Sequence, residues 1–322
     1  MSNIYEFPNN SQNYYKKAIN ELSHHQLDQA IDSLKKSIEK EKNIDAFEEL
    51  VTIYSNLKDS NSLIELWENF DLNNDNIYMN QQLVDLYSLS LPNMYSVDKA
   101  LLLLHEHLRK ITKLNFNQHF TNEILDNLST LYHFSQQINE ANNSGKIKEL
   151  SNFIVDHGPS KTIEYIEMMN QLPIDCCLSL YKELLIHPMV INYIKSMILT
   201  HLINLKVDYN LKLTWFKEDK SVSLNELMLY NDMSSYQVLL NEISSYCQQY
   251  NPHLESEIIN QFKLYYLSFY PFIEKVTSSS NEWLDAFLQT INGSDYTSHS
   301  NQVKHYMSLA TKDIIKLISD TE

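Results

Sequence analysis

Asp71, Asn73 and Asp75 place three oxygen-bearing side chains at alternate positions, the start of a calcium loop. Such a loop also needs a sharp turn at its sixth position and a bidentate Glu at its twelfth. The sixth position here is Asn76, which tolerates the turn, but the twelfth is Gln82, whose neutral amide replaces a chelating carboxylate poorly. The run reads instead as an Asn/Asp turn between helices, and no metal is expected. The twelve histidines point the same way. His105 and His107 are two apart and leave a helix on different faces, His24 and His25 fall in a turn, and His201 has no second histidine one turn away. Cys176 and Cys177 are adjacent, without the two-residue spacer of redox and zinc pairs, and Cys247 stands alone. No nucleophile elbow, Gly-rich phosphate loop or Ser or Cys beside an identifiable base occurs, so no catalytic residue and no cofactor is expected. A site assembled from distant residues leaves no mark in a sequence, and that alternative stays open.

The elements that would position any site are helices. Only three glycines occur in 322 residues, Gly145, Gly158 and Gly293. Phosphate loops and sheet-rich folds call on residues with φ > 0, which argues against a Rossmann or P-loop architecture. Hydrophobic residues make up 43% and charged residues 20%, a globular balance. The formal net charge is −16, and between Glu41 and Lys99 eleven acids face three bases, which concentrates half of that charge there. Arg109 is the single arginine. Nucleic acid is therefore not an expected partner, because its phosphates must be neutralised by Lys and Arg. Three cysteines suit a reducing compartment, the N-terminal residues lack the apolar core of a signal peptide, and the greasiest stretch, 176–205, is broken by Lys182, Glu183, His187-Pro188 and Lys195. It reads as two buried helices, and the expectation is a cytoplasmic protein with no membrane partner.

Apolar spacing predicts helix pairs at 12–23 with 27–41, 45–57 with 60–70, and 77–90 with 96–111, the last joined by a longer connection containing Pro92. The clearest unit carries Phe47, Leu50, Val51 and Tyr54, then Leu63, Trp67 and Phe70. Ala30, Leu34 and Ser37 echo its second half one unit earlier, and Leu83, Val84, Tyr87, Ala100, Leu104 and His107 repeat it one unit later. A fourth unit is carried by Leu125, Leu128 and Tyr132, followed by 146–156. The polar stretch from Gln136 to Gly145 and the breakers His157-Gly158-Pro159 suggest domains at 1–157 and 158–322. Beyond them helices are expected at 160–171, 175–186 and 188–204, with Pro188 as the first residue of its helix. Alternation at Val207, Tyr209, Leu211, Leu213 and Trp215, and again at Val222 and Leu224, predicts one β-hairpin at about 206–224 turning at Lys217-Glu218-Asp219-Lys220. Helices resume at 234–250, 253–270, 281–290 and 299–319. The fold class is all-α, a solenoid of helical hairpins followed by a helical region with one small hairpin.

The repeating unit resembles the tetratricopeptide repeat (TPR). The family pattern of an aromatic, a Leu-small pair and a second aromatic, then small, bulky and small residues in the second helix, falls on Phe47, Leu50, Val51, Tyr54, Leu63, Trp67 and Phe70. Val51, Leu63 and Phe70 are larger than the family's usual residues, and the first unit has Lys17 and Glu21 where Leu and Tyr are usual. With His187-Pro188 and Tyr270-Pro271-Phe272 further on, the chain is similar in outline to uncharacterised cytosolic TPR proteins of low-GC Gram-positive bacteria, which implies no known enzyme activity. In the family the first helix of each pair lines a concave face that holds a protein or peptide. That register implies a groove of Gln12, Tyr15 and Ile19 from the first unit, Asp45, Glu48, Thr52 and Asn56 from the second, and Tyr78, Gln81 and Asp85 from the third. Members that grip a C-terminal carboxylate use Lys or Arg with Asn here. Glu48 and Asp85 would repel one, so the implied partner is a basic or amphipathic protein segment. The expectation is a non-catalytic scaffold or adaptor; a peptide- or ligand-responsive regulator, an enzyme with a scattered site and a self-assembling subunit remain alternatives.

Overall fold

The structure, a computed structural model, describes residues 10–70, 76–276, 280–293 and 299–320. Asp71, Asn73 and Asp75 lie outside them. Among the described residues, fifteen α-helices and one two-stranded antiparallel sheet account for the regular structure, an all-α fold with a small hairpin. The chain divides into two compact units, Met1–Phe134 and Ser135–Glu322.

The first unit holds α1 (Ser11–Ser23), α2 (Leu27–Lys40), α3 (Ile44–Asn56), α4 (Ser60–Asn69), α5 (Gln81–Met94), α6 (Val97–Lys113) and the first part of α7 (His119–Ser144). Four of these helices start on a carboxamide or carboxylate that accepts a free N–H of the first turn: Asn10 from Asn13, Asn43 from Ala46, Asp59 from Ser62 and Asn80 from Leu83. The turns after α1, α3 and α6 share one geometry. Gln26 N–H reaches Glu21 O, Asp59 N–H reaches Tyr54 O and Phe116 N–H reaches Ile111 O, each spanning a residue of positive φ. These residues are His25, Lys58 and Asn115, with φ near 58°, 55° and 58°. They close the helix ends as a glycine would, at a steric cost of about 1–2 kcal/mol for each side chain held there.

Each pair stacks on the next: α2 meets α3, α4 meets α5, and α3 meets α5. The join is aromatic. The Trp67 ring lies 4.7 Å from Phe47 and 5.1 Å from Tyr87, both edge-on, and is fully buried. The first pair is held differently. Ser11 and Ser37 exchange hydroxyl-to-carbonyl bonds of 2.8 Å in both directions, and Asn43 donates to both hydroxyls. Glu21 turns inward and accepts from Ser33 at 2.7 Å, so a polar pair fills a place where the repeat resemblance implied Tyr.

The third pair departs from its expected bounds. Residues 76–79 form a separate 3-10 turn, and α5 starts at Gln81 and runs through Pro92 to Met94. The polar stretch beyond Gln136 continues as α7 because Ile138 and Ala141 keep an apolar stripe in phase.

The second unit adds α8 (Ile147–Asp156), α9 (Pro159–Met169), α10 (Ile174–Ile186), α11 (Asn192–Asn204), the strands β1 (Asn210–Trp215) and β2 (Glu218–Ser223), then α12 (Ser234–Tyr250), α13 (Glu255–Phe269), α14 (Ser280–Ile291) and α15 (Asn301–Ser319). The breakers at 157–159 are the junction of α8 and α9. Gly158 takes φ +90°, and a Cβ there would clash with the Asp320 carboxylate, the same group that accepts Ser160 N–H at 2.8 Å. Pro188 is not the first residue of α11. Helix begins only at Asn192, after a turn in which His187 Nδ1 accepts Met189 N–H. Helix α11 packs against α9, α10, α13 and α15 and is buried almost all round.

The hairpin alternates as expected, with Leu211, Leu213, Trp215 and Val222 buried. Its turn is tighter than the charged run suggested. Phe216 and Lys217, both with positive φ, make a two-residue turn, and Glu218–Ser223 is already strand. Phe216 is held there by ring packing on Phe269 and Tyr306 at 6.1 and 5.8 Å.

Two substitutions test this account. Trp67→Ala is expected to lower the unfolding free energy by about 3–5 kcal/mol, read by urea denaturation; a loss under about 0.5 kcal/mol would mean that the pairs do not stack on this ring. Lys58→Gly is expected to raise stability by about 0.5–1 kcal/mol, the relief of the left-handed strain less the added freedom of the unfolded chain. A loss of stability would show that the turn does not hold that conformation.

Candidate partner-binding face

On α3, Asp45, Glu48, Thr52 and Asn56 follow one another at helical spacing and are exposed or partly exposed, opposite the buried Phe47, Leu50, Val51 and Tyr54. On α1, Gln12, Tyr15 and Ile19 form a similar solvent-side stripe, with Ile19 38% exposed. The charge of the second stripe reaches Tyr15. Partial burial raises the pKa of its phenol, and the nearby carboxylates of Glu49, Asp45 and Glu48 raise it further. Tyr15 thus lies within the field of Asp45, Glu48 and Glu49. Among the described residues, no lysine, arginine or histidine lies within ion-pair distance of these three acids. Glu48 is instead tied to the third pair, accepting from Gln82 Nε2 at 2.6 Å. Thr52 turns its hydroxyl back to Glu48 O at 3.0 Å, and Asn56 sits at the exposed end of the helix.

The third pair contributes less of the expected stripe. Gln81 clamps the chain ahead of α7, accepting Asn117 N–H at 2.9 Å and donating to Asn117 O at 3.1 Å, and it also donates to Asp85 at 2.8 Å. Gln81 braces the loop, and Asp85 holds Gln81. Tyr78 lies ahead of α5 in the 3-10 turn and faces α6. Its hydroxyl is 3.1 Å from His107 Nδ1, and Lys110 stands 5.3 Å over its ring. Glu49 and Gln82 belong to this face although the repeat register did not imply them. Each follows a residue of the implied groove, Glu48 and Gln81, so the face is two residues wide on each helix.

His107 shows what an isolated histidine in this scaffold does. It is 2% exposed, and its Nε2 lies 3.3 Å from Val84 O, a carbonyl that can only accept. The ring is therefore the neutral Nε2–H tautomer, with Nδ1 accepting from Tyr78. Burial lowers its pKa to about 4, with Lys110 adding to the shift and the bond to Val84 O opposing it.

The chain matches no family model, no curated protein and no solved structure.

The histidine yields a pH prediction. The folded pKa lies below the unfolded value of about 6.5, so between the two the unfolded chain binds more protons. This contribution is complete above pH 6.5 and is lost as pH falls toward 4, by on the order of 3 kcal/mol. Urea unfolding at several pH values from 7 to 4 should show that extra loss in the native chain and not in His107→Gln. Parallel profiles would mean that the imidazole is not buried as a neutral ring.

Proposed function

We propose that this protein is a non-catalytic scaffold or adaptor that holds a basic, amphipathic segment of another protein on the solvent face of α1 and α3. The observation that carries this reading is Tyr15 lying within the field of Asp45, Glu48 and Glu49, three acids without a matching cation among the described residues. A tyrosine beside unmatched carboxylates offers an apolar ring for a partner's aliphatic side chains and charge for its lysines or arginines. Glu48 is oriented by Gln82, so part of the face is already arranged before a partner arrives. The resemblance of the helix pairs to tetratricopeptide repeats, which hold proteins on the first helices of each pair, supports the same assignment. In the first unit the buried histidine is committed to structural bonds with Tyr78 and Val84, which favours a binding role over acid–base chemistry. No helix among the described residues is long and apolar enough to cross a membrane, and Cys176, Cys177 and Cys247 are free thiols, which suits work in the cytoplasm.

The test is binding of a synthetic amphipathic helix bearing lysines on its polar face, followed by fluorescence anisotropy at two salt concentrations. It should bind, weaken as salt rises, and bind the Tyr15→Ala/Glu48→Lys variant at least about tenfold more weakly, with helicity unchanged by circular dichroism. Equal binding to the variant, or equal binding of a peptide with glutamates in place of the lysines, would overturn the assignment.

A further inference from the structure

A second site lies wholly within the second unit. A cavity of about 410 Å³ opens between the 188–192 turn, the tip of the hairpin and the last turns of α15. That volume is within the range of small-molecule sites, roughly 300–1,000 Å³. Val190, Ile191, Phe216 and Leu309 make apolar walls. At its base is Lys195, on the central helix α11 and only 3% exposed. Its ammonium donates to Thr214 O at 2.6 Å. Among the described residues nothing accepts its other two N–H groups. Asp313 attracts it across the cavity without closing an ion pair. The Asp313 carboxyl is itself pushed up by burial, while Asn192 N–H, Lys316 and Lys195 draw it down. Lys217, Lys312 and Lys316 also line it, with Lys316 at 4.0 Å from the Asp313 carboxylate, so four lysines face one acid in a chain of net charge −16.

We propose that this cavity binds a small monocarboxylate with an apolar body, its carboxylate on Lys195 and its body against Val190, Ile191, Phe216 and Leu309. Buried donors in native proteins are almost always matched, and an ammonium with two unmatched N–H groups is matched best by an anion. The apolar walls call for a hydrocarbon body. Asp313 favours a single negative charge over a phosphate dianion. Lysines on the rim of an otherwise acidic molecule concentrate anions at this opening.

The amine also supplies a signature. Burial lowers the pKa of Lys195 to about 8, while Asp313 and Asp219 hold it up. Burial lowers the pKa of His187 and the charge of Lys195 adds to that shift, and Lys217, Lys312 and Lys316 line the same cavity. A carboxylate binds the protonated amine. Affinity should be level below pH 7 and fall above pH 8, by at most about tenfold per pH unit.

The experiment is calorimetric titration of the full chain at pH 7 with acetate, hexanoate and octanoate, beside octylammonium and inorganic phosphate. Octanoate should bind one to one, each methylene tightening the series by up to about fourfold. Phosphate and octylammonium should bind at least about tenfold more weakly than octanoate. Lys195→Met removes a buried charge while keeping its bulk, so it should fold, and it should lose at least about tenfold in octanoate affinity and the pH dependence with it. Lys312→Glu, an exposed change, should weaken octanoate by a few-fold with unchanged stability. No saturable binding of octanoate up to about 10 mM, equal binding by Lys195→Met, or equal binding of octylammonium overturns the proposal. Phosphate binding as tight as octanoate overturns the monocarboxylate assignment.

Discussion

A helix pair of this chain cannot cover both of its own apolar faces, and the rest of the first unit depends on that constraint. Trp67 meets it most directly. Its ring is buried between Phe47 on α3 and Tyr87 on α5, so one side chain on α4 joins its own pair to the next. With Phe47, Leu50, Val51 and Tyr54 turned inward, the 3.6-residue period leaves Asp45, Glu48, Thr52 and Asn56 on the outside. The acidic face is the complement of the aromatic seam, and it stays rigid as long as the seam is packed.

The second unit solves the problem with one helix surrounded by others. On α11, Ile194, Ile198, Leu199 and Leu202 are all but fully covered, so a polar side chain in the same stretch is costly without a partner, and the Thr200 hydroxyl is buried with none among the described residues. Ser196 finds two, its hydroxyl lying 2.6 Å from Leu267 O and 3.1 Å from Tyr270 O. Lys195 has three N–H groups and finds one carbonyl, because the hairpin that offers Thr214 O turns away at Phe216 and Lys217. The incomplete solvation of that one ammonium coincides with the opening at the hairpin tip.

What the sequence disclosed follows from which interactions are local. Helix periodicity is local, and it placed α1 to α4 within a residue of their ends. The alternation of Leu211, Leu213 and Trp215 likewise placed the hairpin. Turn geometry is partly tertiary. Phe216-Lys217 is a poor pair for a tight turn by type, yet Phe269 and Tyr306 hold Phe216 there, so the charged run at 217–220 misled. Pro188 suggested a helix start, but the chain spends 187–191 in a turn and α11 begins four residues later. Tyr78 was legible as a surface aromatic. Its engagement with His107, 29 residues away, was not. Lys195 appeared as a break in an apolar run, and only the assembled unit brings Asp313 and Thr214 to it.

Charge distribution separates the two faces of this chemistry. Carboxylates on the open face of α3 keep most of their hydration, so they cost little and act mainly through their field, which added salt screens over about 8–10 Å. Lys195 has given up nearly all its hydration, and an anion beside it would be screened far less. On the proposed reading the acidic face acts on cations at long range and is salt-sensitive, whereas the proposed carboxylate site acts at short range and depends on pH near 8. A net charge of −16 repels anions from most of the surface, so a cavity that gathers four lysines around one acid needs that local excess to admit a carboxylate at all.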